Sequence, residues 1–338
     1  MGELLVEVMR PHPGMSLGEV GDFRGPFPSG APGIFIDTVA RLGHSAAIVS
    51  GVGKDDFGRC ILKRLGADGV NVDLVETFSD RSTGVAFVTY QHDGSRDFIF
   101  HWDGTPAVMA GVPPIRRIGD GPSFFHVMGC SLMANNDFRA RVFQAMELFA
   151  SRGARISFDP NIRFELLGGR AVEEVTGPVL KRCSILFPGE KEVASLSGQG
   201  DVEKGVALLM ERYPLDLLVL KQGSRGCTVF SRESRTQVPA FRIQEVDPTG
   251  AGDCFDAGFL CGLLEGKDAG ESARLAAAVG ALNAQAFGPM EGEISRASVK
   301  ALLEDGPPGG PFGGAHGRPS GSLAQRSAPP ARSGGERA

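Results

Sequence analysis

Apolar residues recur along this chain with two different spacings. Residues 124–128 and 217–220 are short, nearly continuous apolar runs, whereas residues 138–150 and 202–212 repeat apolar side chains every three or four positions. The first spacing is typical of buried strands and the second of amphipathic helices. Because the two kinds of segment alternate over much of the chain, we predict an α/β protein with a three-layer α/β/α arrangement around a mostly parallel central sheet.

Two regions depart from this alternation. Residues 84–90 and 96–101 are rich in β-branched and aromatic residues, and the loop between them contains an Asp-Gly pair, a strong β-hairpin signal. We interpret the region around residues 83–102, together with the Gly- and Pro-rich region around residues 10–30, as a separate small β-sheet. An antiparallel edge of the main sheet is the alternative.

Charge and composition narrow the classes of function. The net charge of −5 over 338 residues gives no electrostatic case for a nucleic acid or an anionic membrane as partner. The chain has no apolar run of about 18 residues and no basic-then-apolar start, so neither a membrane span nor a signal peptide is expected. Its six cysteines show no CxxC spacing, which fits a reducing cytoplasm.

The end of the chain differs from the rest in composition. Residues 305–338 consist mainly of Gly, Pro, Ser, Ala and Arg, and Phe312 and Leu323 are the only large apolar residues there. Such a segment buries too little apolar surface to offset its chain entropy. We therefore predict one folded domain over residues 1–304 and a disordered tail.

The segment with the clearest chemistry is residues 247–253, which read DPTGAGD and precede an apolar run of helical spacing. Pro248 is expected to end a strand, and Gly250 and Gly252 let a ligand approach the backbone. The helix that follows would present unpaired N–H groups and its positive dipole end to an anion. A carboxylate at Asp253 then makes sense as a base for a hydroxyl that attacks a bound phosphoryl group. An ordinary strand–turn–helix with Asp253 as a cap is the alternative.

The longer string DPTGAGDCFDAGF resembles the C-terminal signature of the ribokinase-like, or PfkB-type, carbohydrate kinases. This resemblance covers about residues 2–304 and implies a ribokinase-like fold in which the small β-sheet is an active-site lid. It implies transfer of the γ-phosphoryl group of ATP to a sugar hydroxyl with Mg²⁺, and it leaves room for a monovalent cation such as K⁺. Asp253 would be the catalytic base, and the amides of Gly250, Ala251 and Gly252 would form the anion hole.

Two further motifs follow predicted strands, where ligands bind in parallel sheets. The string DPNIR resembles a family motif in which Asn161 and Arg163 contact a phosphoryl group, and a solvent-facing Asp-Pro turn is the alternative. Glu192 stands where the family has a glutamate of the metal–phosphate region. A helix start stabilised by the dipole explains Glu192 equally well.

The nucleotide-binding part of the active site is expected around the string KQGSRG. By resemblance, Lys221, Gly223 and Gly226 would pack against the nucleotide through the backbone, although a plain β-turn uses the same residues. Asn283, on a later predicted helix, would border the adenine pocket, and a surface asparagine is the alternative.

The sugar-binding part of the active site is expected near the N-terminus. The turn SGAPG resembles the family's sugar-binding turn, so Gly30 and Gly33 would bring backbone groups to sugar hydroxyls. Asp37, one helical turn later, could add a polar group or lie on a solvated helix face. Glu7 leaves the first strand where the family places a sugar-binding acid.

These motifs together look most like kinases of ketohexoses such as tagatose or fructose, with 2-keto-3-deoxygluconate as the alternative substrate. A non-catalytic sugar or nucleotide sensor on the same fold is the competing class of function. The chain has no GxxxxGK[ST] string, which argues against a P-loop kinase. Relatives often pair their lids between subunits, so the apolar hairpin also predicts a homodimer held through the lid.

Overall fold

A computed structural model of the chain describes residues 1–118 and 121–305. Nearly all of the predicted tail therefore lies outside the described residues, and its disorder stays a prediction.

The secondary structure has the following order along the chain. The strands are β1 Leu5–Met9, β2 Arg24–Ser29, β3 Ser50–Gly53, β4 Val75–Phe78, β5 Gly84–Tyr90, β6 Arg96–His101, β7 Phe124–Met128, β8 Arg155–Asp159, β9 Ile185–Leu186, β10 Leu217–Lys221, β11 Cys227–Phe230 and β12 Arg235–Val238. The α-helices are α1 Ala31–Arg41, α2 Asp56–Ala67, α3 Gly129–Met133, α4 Asn136–Ala150, α5 Val172–Leu180, α6 Glu190–Ser197, α7 Val202–Arg212, α8 Ala251–Leu264, α9 Ala269–Ala284 and α10 Arg296–Asp305.

The main sheet has six strands in the order β12-β11-β10-β9-β8-β7. Strands β7 to β10 run parallel, and β11 and β12 add an antiparallel edge. Side chains on these strands alternate between two cores. Ile185 and Val219 belong to the core that includes α1, α8 and α9, whereas Leu186 and Leu218 belong to the core of α4, α5 and α7. Helices therefore cover both faces, and the predicted three-layer α/β/α fold is confirmed.

A separate sheet of four strands has the order β2-β1-β5-β6, and we call it the lid sheet. Strands β5 and β6 pair antiparallel across the Asp-Gly turn, so the predicted hairpin belongs to this sheet and not to an edge of the main sheet. Val88 lies opposite Phe98, and Phe87 lies opposite Ile99. Because side chains alternate along a strand, Phe98 and Ile99 point to opposite faces of the lid sheet.

Strands β3 and β4 form a parallel pair of their own. The regular strand β3 begins at Ser50, and before it Ala47 forms an isolated bridge to Asn71. Strand β4 was missed because its four residues are half-buried or exposed and carry little apolar signal.

The strand expected just before Pro248 is also absent, since residues 239–248 are irregular. The side chain of Asp247 stabilises this segment, which has no strand partner among the described residues. Asp247 accepts hydrogen bonds from the N–H groups of Thr249 and Gly288, both at 2.9 Å.

Two further features concern the length of the helices and the state of the cysteines. Within residues 1–118 and 121–305, no helix is both long and apolar enough to cross a membrane. All six cysteines are free, and five of them are buried.

Candidate active site

The loops after β8, β9 and β10 meet the start of α8 at one edge of the main sheet. Because these strands are parallel neighbours, their carboxyl ends lie side by side. The lid sheet contributes to the same place, and the surrounding residues enclose a cavity of about 260 Å³. The cavity is lined by Glu7, Ala31, Ile34, Arg96, Phe98, Asp159, Asn161, Ile162, Arg163, Glu192, Lys221, Pro248, Thr249, Gly250, Gly252 and Asp253.

Helix α8 begins at this cavity with free backbone donors. Gly250 has φ 77°, and a Cβ atom there would lie 2.5 Å from the carbonyl oxygen of Pro289, so only glycine fits. In the described part of the chain, the N–H groups of Gly252 and Asp253 have no hydrogen-bond partner, whereas that of Ala251 donates to the Pro248 carbonyl at 3.2 Å. The predicted anion site thus has its donors in place, with Ala251 already engaged.

Two glycine substitutions should separate folding from anion binding. A methyl group at Gly252 would have Lys221 Nζ, at 3.8 Å, as its nearest neighbour. We expect Gly252→Ala to fold normally but to lower turnover by about 10²-fold, because the methyl group displaces the bound phosphate. Gly250→Ala should instead lower the free energy of unfolding by about 1–3 kcal/mol through backbone strain. Denaturant unfolding and steady-state kinetics measure both, and normal turnover in Gly252→Ala would contradict the anion site.

Asp253 lies in the first turn of α8 and is 9% exposed. Burial and, next, the negative charge of Asp159 raise the pKa of Asp253 to about 7, against the attraction of Lys221 and Arg163. A carboxyl group whose pKa lies near neutral pH is well suited to accept a proton during a reaction.

The reaction rate should follow the ionisation of Asp253. The protonated form cannot accept a proton, so we expect kcat/KM to fall as the pH drops below about 7 and to level off above it. A pH–rate profile of the wild-type protein measures this, with nucleotide affinity over the same range as the control. A profile that stays flat through neutral pH would remove Asp253 as the titrating base.

Asn161 and Arg163 lie where the sequence predicts them. Asn161 has φ 33°, donates its N–H to Asp159 Oδ1 at 3.0 Å and holds its Nδ2 3.5 Å from Asp253 Oδ1. The guanidinium carbon of Arg163 lies 5.3 Å from the centre of the Phe98 ring in the lid sheet. The structure thus brings both predicted phosphate contacts to the same cavity as Asp253.

The side chain of Lys221 forms ion pairs, and the predicted backbone contact of Lys221 with nucleotide stays a prediction. Its Nζ donates to Asp159 Oδ2 at 2.8 Å and to Asp256 Oδ2 at 3.2 Å. Burial alone would lower the pKa of Lys221, but these two carboxylates raise it overall, so the side chain stays charged. We conclude that Lys221 is the centre of a buried ion-pair group beneath the start of α8.

The other predicted nucleotide residues do not line the cavity. Gly223 starts a short 3₁₀ turn after β10, and Gly226, with φ 93°, packs closely on the carbonyl of Val238. Their contact with nucleotide stays a prediction. Asn283 is fully buried on α9 and donates from Nδ2 to the carbonyl of Thr249 at 2.7 Å. It is therefore not a surface residue, and it supports the loop before α8. Its place at the adenine pocket stays a prediction.

Glu192 ties two loops together. Its Oε1 accepts the N–H of Ile162 at 2.9 Å, and its Oε2 accepts that of Gly189 at 2.7 Å. Over residues 1–118 and 121–305, no group of three or more His, Cys, Asp or Glu side chains could hold a metal ion. Mg²⁺ commonly takes one or two carboxylates and fills its other positions with waters and substrate phosphates. The oxygens of Glu192 and Asp159 already accept hydrogen bonds from backbone N–H groups and from Lys221. A metal contact through Glu192 therefore stays a prediction.

Glu7 offers an acceptor on the opposite wall of the cavity. Ser29 Oγ donates to Glu7 Oε1 at 2.7 Å, while Oε2 is buried and has no hydrogen-bond partner within the described residues. Burial raises the pKa of this carboxyl group. A buried oxygen without a partner is a ready acceptor for a ligand hydroxyl.

Gly30, Gly33 and Asp37 do not line the cavity, so their contact with a sugar stays a prediction. A Cβ atom at Gly30 would lie 2.5 Å from the Glu3 carbonyl and one at Gly33 would lie 2.8 Å from Leu4 Cδ2, so both glycines serve close packing. Asp37 is 1% exposed and faces Arg41 and Arg64, at 3.7 and 3.8 Å, away from the cavity. Ala31 and Ile34 line the cavity in place of these residues.

The lid sheet adds further residues to the site. Arg96 and Phe98 both line the cavity, and the Arg96 guanidinium lies 5.7 Å from the centre of the Phe98 ring. Tyr90 Oη donates to Asp247 Oδ1 at 2.6 Å and so joins the lid sheet to the loop before α8. The alternation of β5 and β6 was the signal that could have placed these three side chains on one face.

Comparison with known proteins agrees with this geometry. A profile described as pfkB family carbohydrate kinase matches residues 28–296. The chain belongs to the pfkB family of carbohydrate kinases. The predicted resemblance is thereby confirmed, and the chain is a carbohydrate kinase by family.

Individual pfkB relatives match nearly the whole chain. Fructokinase-1 of Zea mays is 32% identical over 314 residues, which cover 90% of this chain and 96% of that protein. An E. coli protein provisionally named ribokinase II, solved with ATP and Mg²⁺, superposes with a TM-score of 0.84 at 36% identity over 90% of this chain and 98% of its own. The fructokinase of Vibrio cholerae O395, solved with fructose, ADP and calcium, superposes with a TM-score of 0.75 at 25% identity. The match covers 90% of this chain and 97% of that one.

Proposed function

We propose that this protein transfers the γ-phosphoryl group of ATP to a hydroxyl of a ketohexose such as fructose or tagatose. The observation that carries the proposal is the position of Asp253, which is buried in one cavity with Glu7. It lies at the start of α8, where the N–H groups of Gly252 and Asp253 have no partner among the described residues. That arrangement supports a base between an anion site and a hydroxyl-binding wall. The fructokinase names of the relatives support the choice of ketohexose.

Each group has a part in the proposed reaction. Glu7 Oε2 accepts a sugar hydroxyl and orients the sugar, and Asp253 takes the proton of the attacking hydroxyl. The N–H groups of Gly252 and Asp253 donate to the negatively charged oxygens of the transferring phosphoryl group, and Arg163 holds these oxygens in position.

The cofactors form the second part of the proposal. Mg²⁺, when bound with ATP near Glu192 and Asp159, would neutralise part of the negative charge of the phosphates. A structural neighbour was solved with ATP and Mg²⁺, which supports these cofactors here. A monovalent cation such as K⁺ stays a prediction.

One observation favours the alternative substrate, 2-keto-3-deoxygluconate. Arg96 and Arg163 both approach the ring of Phe98 and both line the cavity, so two positive charges face the sugar side. A sugar acid would pair its carboxylate with such guanidinium groups, whereas a neutral ketohexose offers only hydroxyl acceptors.

A substrate screen decides among these functions. ADP release should be measured with fructose, tagatose, 2-keto-3-deoxygluconate, ribose and a nucleoside, each with Mg²⁺ and ATP. We expect the highest kcat/KM with a ketohexose. Preference for the sugar acid would select the alternative, and binding of sugar or ATP without turnover would select the sensor.

We also propose a homodimer held through the outer face of the lid sheet. Ile99 is 45% exposed and Phe23 is 38% exposed, and the Phe23 and Phe87 rings lie 5.8 Å apart on this face. Neighbouring exposed apolar side chains commonly mark an interface. We expect Ile99→Asp to shift sedimentation from dimer to monomer. Ile115→Asp, at another isoleucine that is 50% exposed, is the matched control, and a monomeric wild-type protein would contradict the dimer.

A further inference from the structure

The strands of the lid sheet connect to the rest of the chain at one end only. The four strand ends that make these connections are Leu5, Ser29, Gly84 and His101. They lie side by side, because Leu5 pairs with both Ser29 and Gly84 and β6 ends beside the start of β5. At the opposite end, residues 10–23 and 91–95 only join one lid strand to the next. We call this opposite end, formed by Met9, Arg24, Tyr90 and Arg96, the free end of the lid sheet.

Tyr90 joins this free end to the loop before α8. It is the last residue of β5 and lies opposite Arg96, so its side chain is on the cavity face of the lid sheet with Phe98. Its hydroxyl donates to Asp247 Oδ1 at 2.6 Å and lies within hydrogen-bond distance of Thr249 Oγ1. Over residues 1–118 and 121–305, these are the only hydrogen bonds between the free end and residues outside the lid sheet and its two loops.

The carboxylate that Tyr90 contacts supports the start of α8. Asp247 is 1% exposed and accepts the N–H groups of Thr249 and Gly288, both at 2.9 Å. Thr249 directly precedes Gly250, and Gly288 directly precedes Pro289, whose carbonyl packs against Gly250. One carboxylate therefore connects the lid sheet with both segments that surround the first residue of the anion site.

The Tyr90 hydroxyl is suited to a permanent contact of this kind. Burial and, next, the negative charge of Asp247 raise the pKa of Tyr90, so the phenol keeps its proton at neutral pH. A phenol that donates to a carboxylate forms a charge-assisted hydrogen bond with a defined direction. The ring contact between Phe27 and Phe287, with centres 5.8 Å apart, also joins the lid sheet to this region but is less directional.

We propose that Tyr90 is a positioning residue, which holds the free end of the lid sheet against the loop before α8 and so sets the distance between the sugar-binding wall and Asp253. Glu7 and Phe98 of that wall belong to the lid sheet, whereas Asp253 belongs to α8. Without the hydroxyl contact, the sugar would be held less accurately and water would enter the cavity more readily. This role rests on the proposed function, because it assigns the lid wall of the cavity to the sugar.

Replacing Tyr90 by phenylalanine keeps the ring and removes only the hydroxyl. Asp247 Oδ1 still accepts the N–H and the hydroxyl of Thr249, at 2.9 and 2.7 Å, so Tm should stay within about 3 °C of the wild type. We expect the KM for the ketohexose to rise about tenfold, while the KM for ATP stays within about twofold. The amount of inorganic phosphate formed per sugar phosphate should also rise.

Tyr213→Phe is the matched control. Tyr213 is the only other tyrosine of the chain, and its hydroxyl also donates to a carboxylate, that of Glu173, at 3.2 Å. It does not line the active-site cavity, so both KM values should equal those of the wild type.

Hydrogen exchange of β5 and β6 without ligands is the second measurement. We expect it to be about tenfold faster in Tyr90→Phe than in the wild type and in Tyr213→Phe, because the free end separates more often from the loop before α8. This measurement does not depend on the substrate, so failure of the proposed function can be told from failure of the role of Tyr90. An unchanged sugar KM in Tyr90→Phe would overturn the positioning role, whether exchange is faster or not. A raised KM with unchanged exchange would also overturn it, since the hydroxyl would then act on the sugar and not on the lid sheet.

Discussion

Replacing Asp253 by asparagine is expected to lower turnover by about 10²–10⁴-fold. The amide keeps the size of the side chain and the 9% exposure of the site, but it cannot take a proton from the attacking hydroxyl. The free N–H groups of Gly252 and Asp253 are unchanged, so nucleotide affinity should stay within a few-fold. Steady-state kinetics and calorimetric titration with ATP measure the two effects separately.

Asp268→Asn is the matched control for this substitution. Asp268 caps α9 by accepting the N–H of Glu271 at 2.8 Å, outside the active-site cavity, and asparagine caps a helix equally well. Turnover in Asp268→Asn should therefore equal that of the wild type. Near-normal turnover in Asp253→Asn would make Asp253 a structural residue of α8 and would refute its role as the base.

Replacing Lys221 by methionine is expected to lower the free energy of unfolding by about 3–5 kcal/mol. Lys221 is the cation that Asp159 and Asp256 share, and these carboxyl groups are 3% and 0% exposed. Without it, one buried carboxylate has no compensating charge and must either take up a proton or open the site to water. Denaturant unfolding at neutral pH gives the loss directly.

An exposed lysine provides the comparison for Lys221. The side chains of Lys300 and Glu304 are 75% and 66% exposed and lie 3.7 Å apart, so Lys300→Met should cost less than about 1 kcal/mol. A similarly small loss in Lys221→Met would show that the buried ion-pair group is not a major source of stability.

Much of the fold was predictable because its signals are local. The alternation of apolar strands and helices predicts the main sheet, and the Asp-Gly pair between two β-rich runs predicts the β5–β6 hairpin. Asp253 and its glycines were predictable because backbone freedom and a helix start lie within a few consecutive residues. These features need no knowledge of distant contacts.

The features that the sequence does not predict belong to side chains whose partners are distant in sequence. Asp37 is buried on α1 and faces Arg64. The position of Lys221 depends on Asp159, which lies on another strand, and on Asp256. Asp256 follows Asp253 by three residues and so lies on the same face of α8, which was a usable signal for a buried charge partner.

The measurement that tests the central claim most directly is ³¹P NMR of a reaction with fructose, ATP and Mg²⁺. The account predicts that a sugar phosphate ester appears in step with ADP, one for one, with wild-type protein and far more slowly with Asp253→Asn. Formation of ADP and inorganic phosphate without a sugar phosphate, or equal rates in the two proteins, would contradict it.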